Sequence, residues 1–252
     1  EQHVWRAHPM DKFELVARIM QADGRGLAMI FTRTKRKAQK IYDDLTERGF
    51  AVGTVHGDLG QGAREQALRA FRGGKIDILV ATDVAARGID VDGVTHVINF
   101  ECPEDEKAYL HRVGRTGRAG NSGVAVTLVD WEDVARWQMI DRALKLPFKD
   151  PLETYSTSEH VYTGLGIPTS ATGRLAKGDR TRAGLGAENL EDIGGKPPQQ
   201  KPPARKSSGG RPPAKKHSTD KAPTGTSDGN SPRKKPTGKT RERRRTRSGD
   251  GA

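Results

Sequence analysis

Short apolar runs alternate with segments of helical spacing along the first 150 residues of the chain. Strands are predicted at Leu27–Thr32, Ala51–Val55, Ile76–Ala81, Thr95–Phe100 and Gly123–Val129. Apolar residues three or four positions apart predict helices between these strands. The helices lie at Asp11–Gln21, Lys35–Arg48 and Gln61–Phe71, and a further one carries Val134, Trp137, Ile140 and Leu144. This alternation predicts an α/β fold, a parallel β-sheet with helices on both faces.

Charge is distributed unevenly along the chain. The sequence has 44 Lys and Arg against 32 Asp and Glu, a net charge of +12, and residues 201–252 hold 16 of the basic and four of the acidic residues. The excess therefore lies entirely in residues 201–252, while aromatic residues stop at Tyr162. A segment so poor in apolar residues cannot offset the entropy lost on ordering. We predict a folded domain at residues 1–155 and a disordered Pro/Gly/Lys/Arg-rich tail at 156–252.

Several classes of protein are excluded by composition. The sequence contains no apolar run of about 18 residues, the length that a membrane-spanning helix needs. Its single cysteine, Cys102, excludes an intrachain disulfide framework and indicates a reducing compartment, so we expect a cytoplasmic protein. The chain begins at Glu1 without a signal segment or an initiator Met, and we expect it to be a fragment of a longer chain.

The strongest chemical pattern is residues 111–118, which place a histidine and three arginines among two glycines. Arginine forks bind phosphate oxygens bidentately and stay charged near neutral pH. Such a cluster suits the charge that develops on a transferring phosphoryl group, where one arginine is worth about 10³–10⁵ in rate. A solvated basic loop or a structural phosphate site would give the same composition, so this pattern alone leaves both interpretations open.

A second pattern, residues 81–90, directly follows the third predicted strand. Thr82 offers a hydroxyl and an amide to a phosphate, and Asp90 offers a carboxylate to the hydroxyls of a ribose. A helix cap at Thr82 and an ion pair between Arg87 and Asp90 are the structural alternatives.

Two weaker patterns follow the first and second strands. Thr34 can cap a helix whose N-terminus points at a phosphate, and Gly57 is followed by Gln61 and Arg64 one helical turn apart. Taken alone, each favours a turn and a helix surface over a binding role. Because ligands of parallel sheets bind beyond the carboxyl ends of the strands, we expect all of these patterns to meet at that edge.

Together, these segments resemble the second RecA-like domain of DEAD-box RNA helicases, over about residues 1–150. The segment His111–Arg118 matches the sixth motif of the family, Thr82–Asp90 the fifth and Phe31–Lys35 the fourth, while Gln61 and Arg64 match its Gln-x-x-Arg motif. The overall pattern and the tail are most similar to bacterial enzymes of the RhlE type.

The resemblance implies a role for each matching residue. Arg115 and Arg118 would reach the γ-phosphate of ATP, with His111 linking to the catalytic loop of another domain, and Asp90 would hold the ribose. The RNA side would consist of Thr34, Gly57, Gln61, Arg64, Thr82 and Gly88. Contacts of this kind go to sugar and phosphate, so they imply RNA binding with little sequence specificity.

The chain also departs from the family. It has no phosphate-binding Gly-x-x-x-x-Gly-Lys loop and no Asp-Glu-Ala-Asp motif, which belong to the first RecA-like domain. ATP with Mg²⁺ would therefore be held mainly by that domain, and we expect residues 1–252 alone to be inactive. No metal site is expected here, since His56, His96 and His111 lack the spacing of ligands.

The expected partners are RNA, the first RecA-like domain of the same full-length chain, and ribonucleoprotein or RNA-decay proteins. Within the tail, Arg241–Arg247 is the densest basic patch and predicts a salt-sensitive RNA tether; a solubilising linker is the alternative. A non-enzymatic RNA-binding or annealing module and a DNA-directed helicase remain as rival functions.

Overall fold

The computed structural model describes residues 1–89, 91–118 and 120–188. The chain divides into two units, Glu1–Pro198 and Gln199–Ala252, and every described residue belongs to the first. The predicted tethering segment at 201–252, with its basic patch Arg241–Arg247, lies outside the described residues, and so does Asp90.

Seven strands of the described chain form one parallel sheet. They are β1 (Gln2–Ala7), β2 (Leu27–Thr32), β3 (Val52–Val55), β4 (Ile78–Thr82), β5 (Val94–Asn99), β6 (Val124–Val129) and β7 (Leu152–Thr154). Their order across the sheet is β3-β4-β2-β5-β6-β1-β7. Because the strands are parallel, the carboxyl ends of β3, β4 and β2 lie side by side at one edge.

Helices follow most of the strands. They are α1 (Lys12–Ile19), α2 (Lys35–Glu47), α3 (Gln61–Arg72), α4 (Asp83–Ala86), α5 (Glu106–Val113), α6 (Val134–Leu144) and α7 (Glu159–Leu165). Short 3₁₀ turns lie at Trp131–Asp133, Lys177–Asp179 and Leu185–Ala187. None of the helices found between residues 1 and 188 combines the length and the apolar character needed to cross a bilayer.

The helices cover both faces of the sheet, as the sequence predicts. On one face, Ile19 of α1, Ile41 of α2 and Val161 of α7 belong to a single buried cluster. On the other face, Phe71 of α3 and Trp137 of α6 are fully buried against the sheet in two neighbouring clusters. The predicted α/β class is confirmed.

The five predicted strands correspond to β2–β6; the ends of β2 agree, and those of the other four differ by at most two residues. Two strands are not predicted, because β1 is interrupted by Gln2, His3 and Arg6 and β7 has only three residues. Helix α5 is also missed, since Tyr109 and Arg112 are its buried residues and an arginine breaks the apolar spacing.

The folded part extends beyond residue 155, so the boundary predicted there lies too early. Ser156 Oγ donates to the carboxylate of Asp11 at 2.8 Å, and α7 buries Val161 and Leu165. Residues 166–188, called the strap below, continue along the surface of the domain and bury Ile167 and Ala171. Composition does not reveal this extension because only a few apolar residues anchor it to the core, and backbone and polar hydrogen bonds supply its other contacts.

Candidate functional site

Three of the predicted residues lie where neighbouring strands end. Thr34 follows β2 and caps α2, its Oγ1 accepting a hydrogen bond from Lys37 N at 3.2 Å. Gly57 follows β3, and Thr82 is the last residue of β4. The order β3-β4-β2 brings these three positions to one edge of the sheet, as predicted.

A buried side-chain nitrogen that lacks a hydrogen-bond partner among the described residues lies at the same edge. Nε2 of His56, directly before Gly57, has no hydrogen-bond partner in the described part of the chain, although it is shielded from solvent. A buried polar atom without a partner costs free energy that a ligand can recover. Across from it, Lys35 pairs with Asp58 at 2.7 Å, which places a cation near the end of β3.

Gln61 and Arg64 occupy the first turn of α3, but the two side chains behave differently. Gln61 is exposed and donates to its neighbour Glu65. Arg64 Nη2 donates to the carbonyl oxygen of Ala85 at 3.1 Å, so this guanidinium ties α3 to α4. The structure therefore assigns Arg64 a contact that sequence reasoning did not anticipate.

The turn after α4 depends on a glycine. Gly88 has a φ of +73°, the left-handed region that costs other residues about 1–2 kcal/mol. A Cβ atom at this position would meet nothing within 4 Å, so the conformation rather than space favours glycine here. The expected ribose contact of Asp90, two residues later, lies outside the described residues.

Helix α5 begins beyond the carboxyl end of β5, where Asp105 accepts a hydrogen bond from Ala108 N at 2.7 Å. It then runs back across the sheet, antiparallel to the strands. Thr116 Oγ1 donates to the carbonyl oxygen of Val94, the first residue of β5, at 2.6 Å. At Thr116, between Arg115 and Arg118, the segment thus lies near the amino end of β5.

Both arginines are held by backbone carbonyl groups. Arg115 Nη1 donates to Ile89 O at 2.9 Å and Nε donates to His111 O at 3.2 Å. Arg118 Nε donates to Gly114 O at 2.7 Å. His111 and Arg118 are exposed and Arg115 is half-buried.

Sequence reasoning missed Arg112, which is 1% exposed. Its guanidinium donates to both carboxylate oxygens of Asp83, at 2.7 and 2.6 Å, and to the carbonyl oxygen of Glu101 at 2.9 Å. It also lies over the ring of Phe31, with 5.6 Å between the guanidinium carbon and the ring centroid. The sequence feature that could have identified Arg112 is its position three residues after Tyr109, which puts both residues on the buried side of α5. Arg112 links the ends of β2, β4 and β5.

A cleft of about 780 Å³ runs between the two regions. It brings together Gly57, Thr82 and Gly88 on one side with His111 and Arg115 on the other. Thr34, Gln61, Arg64 and Arg118 are not among its described lining residues.

Positive side chains outnumber negative ones in this cleft, which favours a phosphate-bearing ligand. Three acidic residues line it: Asp83, Glu104 and Asp105. Six basic residues line it: Arg33, Lys35, Arg87, Lys107, Arg112 and Arg115.

Buried charged groups make hydrogen bonds close to the ends of several strands. Burial acts to raise the pKa of Glu101, but hydrogen bonds from the Thr32 hydroxyl and the Arg33 amide hold that pKa below its ordinary value. Lys12 is 1% exposed and donates to the carbonyl oxygens of Phe100 and Leu128 at 2.9 and 3.0 Å. Burial lowers the pKa of Lys12 although Asp130 pairs with it. Among the residues that the structure describes, which do not include Asp90, no three His, Cys, Asp or Glu residues come together as a metal site.

Comparisons with known proteins identify a family model and several relatives that match this chain. The family model described as the helicase conserved C-terminal domain matches residues 11–120. The DEAD-box ATP-dependent RNA helicase CshA of Geobacillus kaustophilus is 46% identical over 145 residues, 58% of this chain and 31% of that protein. The ATP-dependent RNA helicase CshA of Listeria monocytogenes is 38% identical over 192 residues, 76% of this chain and 35% of that protein. The chain therefore spans about a third of the length of these relatives.

Solved structures give the same fold. The E. coli DEAD-box protein SrmB, bound to regulator of ribonuclease activity A, superposes with a TM-score of 0.56 at 28% identity, covering 68% of this chain and 95% of that one. A DEAD box protein from Methanococcus jannaschii gives a TM-score of 0.55 at 36% identity, covering 61% of this chain and 41% of that one.

Proposed function

Residues 11–120 form a helicase conserved C-terminal domain of the kind found in bacterial DEAD-box RNA helicases, and from this premise we propose that the folded part is the second lobe of an ATP-dependent RNA helicase. In this proposal His111, Arg115 and Arg118 meet ATP held on a first lobe. RNA lies at the carboxyl edge of the sheet, at the other end of α5. Opening of a duplex follows from closing the two lobes around both ligands.

The observation that carries the proposal is the shared cleft, in which Thr82 and Gly88 lie opposite His111 and Arg115. In this proposal, a ligand bound on one side of the cleft alters the ligand site on the other side through α4 and α5, because residues of both helices line the cleft.

On the nucleotide side, the arginines supply fixed positive charge. We assign both Arg115 and Arg118 to the γ-phosphate, and their backbone contacts orient the guanidinium groups. We assign His111 to the contact with the first lobe and Asp90 to the ribose. Bound ATP supplies the phosphoryl group, and Mg²⁺ is assigned mainly to residues of the first lobe.

On the RNA side, the proposal assigns sugar-phosphate contacts to a set of residues at or near the strand ends. These residues are Thr34, Gly57, Gln61, Arg64, Thr82 and Gly88. The N-termini of α2 and α3 point amide groups toward this edge, which favours phosphate. Because these groups read backbone rather than bases, binding is expected to be largely independent of sequence.

Partners and location are further proposals. SrmB is bound to a regulator of ribonuclease activity in its structure. For this chain, ribonucleoprotein or RNA-decay proteins are proposed as additional partners beside RNA. Burial raises the pKa of the Cys102 thiol to about 12, which suits an unreactive thiol in a reducing cytoplasm. The relatives named above are CshA proteins, and the similarity to the RhlE type stays a prediction.

A chimera tests the proposal. Residues 1–188 replace the matching segment of the Geobacillus helicase, and ATP hydrolysis is measured with and without single-stranded RNA. We expect RNA-stimulated hydrolysis by the chimera and negligible hydrolysis by residues 1–252 alone. Arg118→Ala in the chimera should lower the rate by about 10³-fold or more, whereas the exposed Arg142→Ala should not. A chimera that binds RNA but hydrolyses no ATP would instead support the non-enzymatic RNA-binding module.

A further inference from the structure

The backbone directly after β5 is bound by groups from several neighbouring elements. Phe100 N donates to the carbonyl oxygen of Phe31, in β2, at 2.9 Å. The carbonyl oxygen of Phe100 accepts from the buried Lys12, and that of Glu101 accepts from Arg112, each at 2.9 Å. Glu101 is itself 9% exposed. Its side chain therefore starts from a backbone that β2, α1 and α5 hold in place.

The carboxylate of Glu101 is bonded to the end of β2. Its Oε2 accepts a hydrogen bond from the hydroxyl of Thr32, the last residue of β2, and another from Arg33 N at 2.8 Å. Burial acts to raise the pKa of Glu101, but these two bonds hold that pKa below its ordinary value, so the group is ionised at neutral pH. Hydrogen bonds to an ionised acceptor are about twice as strong as those between neutral groups.

Arg33 is held at its side chain as well as at its main chain. Its guanidinium donates to Oδ1 of Asp133 at 3.2 Å, and Asp133 belongs to the 3₁₀ turn that follows β6. The amide of Arg33 is thus bonded to the segment after β5, and its side chain to the turn after β6. Thr34, the N-cap of α2, is the next residue in the chain, so its position depends on both contacts.

The groups that the proposed function offers to RNA lie on this turn and beside it. Thr34 caps α2, and Thr32 lies opposite Thr82 in the register of β2 and β4. The first amide groups of a helix have no partners within it and favour a phosphate. A hydrogen bond to Arg33 N, one residue before the cap, restricts the direction in which these amide groups of α2 point.

We propose that Glu101 is a positioning residue of the RNA side, whose carboxylate holds the turn after β2 in the orientation that presents Thr34 and the first amide groups of α2 to a phosphate of the RNA backbone. The inference rests on the proposed function, because it assumes that RNA binds at Thr34. Glu101 is buried and acts through the turn, without a contact of its own to RNA.

Fluorescence anisotropy of a labelled oligouridine measures the affinity of the full 252-residue chain and of its variants. Glu101→Ala removes both hydrogen bonds to the turn and should weaken RNA binding about five- to tenfold. Glu101→Gln keeps an acceptor oxygen for Arg33 N, so its affinity should stay within about twofold of wild type. No loss in Glu101→Ala, or an equal loss in both variants, would overturn the inference.

A matched control separates positioning from stability. Asp141 is also a buried carboxylate, 6% exposed, and it accepts a backbone hydrogen bond from Phe148 N at 3.0 Å. It belongs to α6, outside the proposed RNA side. Asp141→Ala should lower the urea midpoint of unfolding as Glu101→Ala does, while RNA affinity stays unchanged. A parallel loss of RNA affinity in the Asp141 variant would show that Glu101 acts only through stability, which overturns the positioning role.

A double variant tests whether Glu101 acts through the turn that carries Thr34. Losses of affinity at independent sites multiply, whereas those of residues that share a contact do not. Thr34→Ala combined with Glu101→Ala should therefore weaken binding by less than the product of the two single losses, and a full product would overturn the inference. If neither single variant changes RNA affinity, the RNA side placed at this turn fails; a loss in Thr34→Ala alone overturns only the role of Glu101.

Discussion

The guanidinium of Arg112 donates to both carboxylate oxygens of Asp83, with donor–acceptor distances of 2.7 and 2.6 Å. Asp83 begins α4, next to Thr82 on the proposed RNA side, and Arg112 directly follows His111 on the proposed nucleotide side. The ion pair therefore joins the two segments to which the proposed function assigns different ligands. Bidentate pairs of this kind fix orientation as well as distance.

This pair should contribute strongly to stability. Asp83→Asn leaves the Arg112 charge buried without a counter-ion, and we expect the free energy of unfolding to fall by about 3 kcal/mol. Urea unfolding of the variant measures the change, and Asp150→Asn at an exposed position is the control. If both variants lose the same small amount, the buried pair does not have the importance that its geometry indicates.

Comparison of two glycines separates the effect of backbone strain on stability from a role in RNA binding. Gly88 and Gly24 have φ values of +73° and +72°, and a Cβ atom would meet nothing within 4 Å at either position. Replacing either by alanine should cost about 1–2 kcal/mol of stability for the same backbone reason. Only Gly88→Ala should weaken binding of single-stranded RNA, as measured by anisotropy. Equal RNA affinity of the two variants would remove Gly88 from the proposed site.

The stability of the domain should depend on pH through His96. Burial and the nearby charge of Arg25 lower the pKa of His96 to about 4. Between the ordinary pKa of 6.5 and this value, the unfolded chain binds a proton that the folded chain does not, so stability falls as pH falls. From pH 6.5 to pH 5 the loss should be about 1.5 kcal/mol, because half of the unfolded chains already carry the proton at pH 6.5. Chemical unfolding of wild type and His96→Gln at the two pH values tests this, and parallel losses would contradict it.

The basic segment, residues 201–252, should make RNA binding sensitive to salt. Deletion of 201–252 removes 16 basic residues and, through fewer released counterions, should reduce the slope of log affinity against log salt. Titrations of a labelled oligouridine with each of the two chains, at several salt concentrations, measure this slope. An unchanged slope would leave the segment as a solubilising linker.

The sequence predicts the central strands well because β2 and β4–β6 are apolar runs that end at clear turn residues. It predicts that Thr34, Gly57 and Thr82 share an edge, since parallel strands end together. It does not reveal the course of α5, because the residue that buries this helix is an arginine whose counter-ion lies 29 positions earlier in the chain. The sequence does not reveal the strap either, since the contacts of the strap join backbone groups that are distant in the chain and leave no periodic pattern.

The eight residues of α5 form a rod about 12 Å long. One end is fixed at the carboxyl end of β5 by Asp105, and Arg115 extends just past the other end. Insertion or removal of a single residue would turn everything beyond it by about 100° around the helix axis. The number of residues between these points is therefore more tightly constrained than the identity of the exposed residues on α5, which can change without redirecting the guanidinium groups.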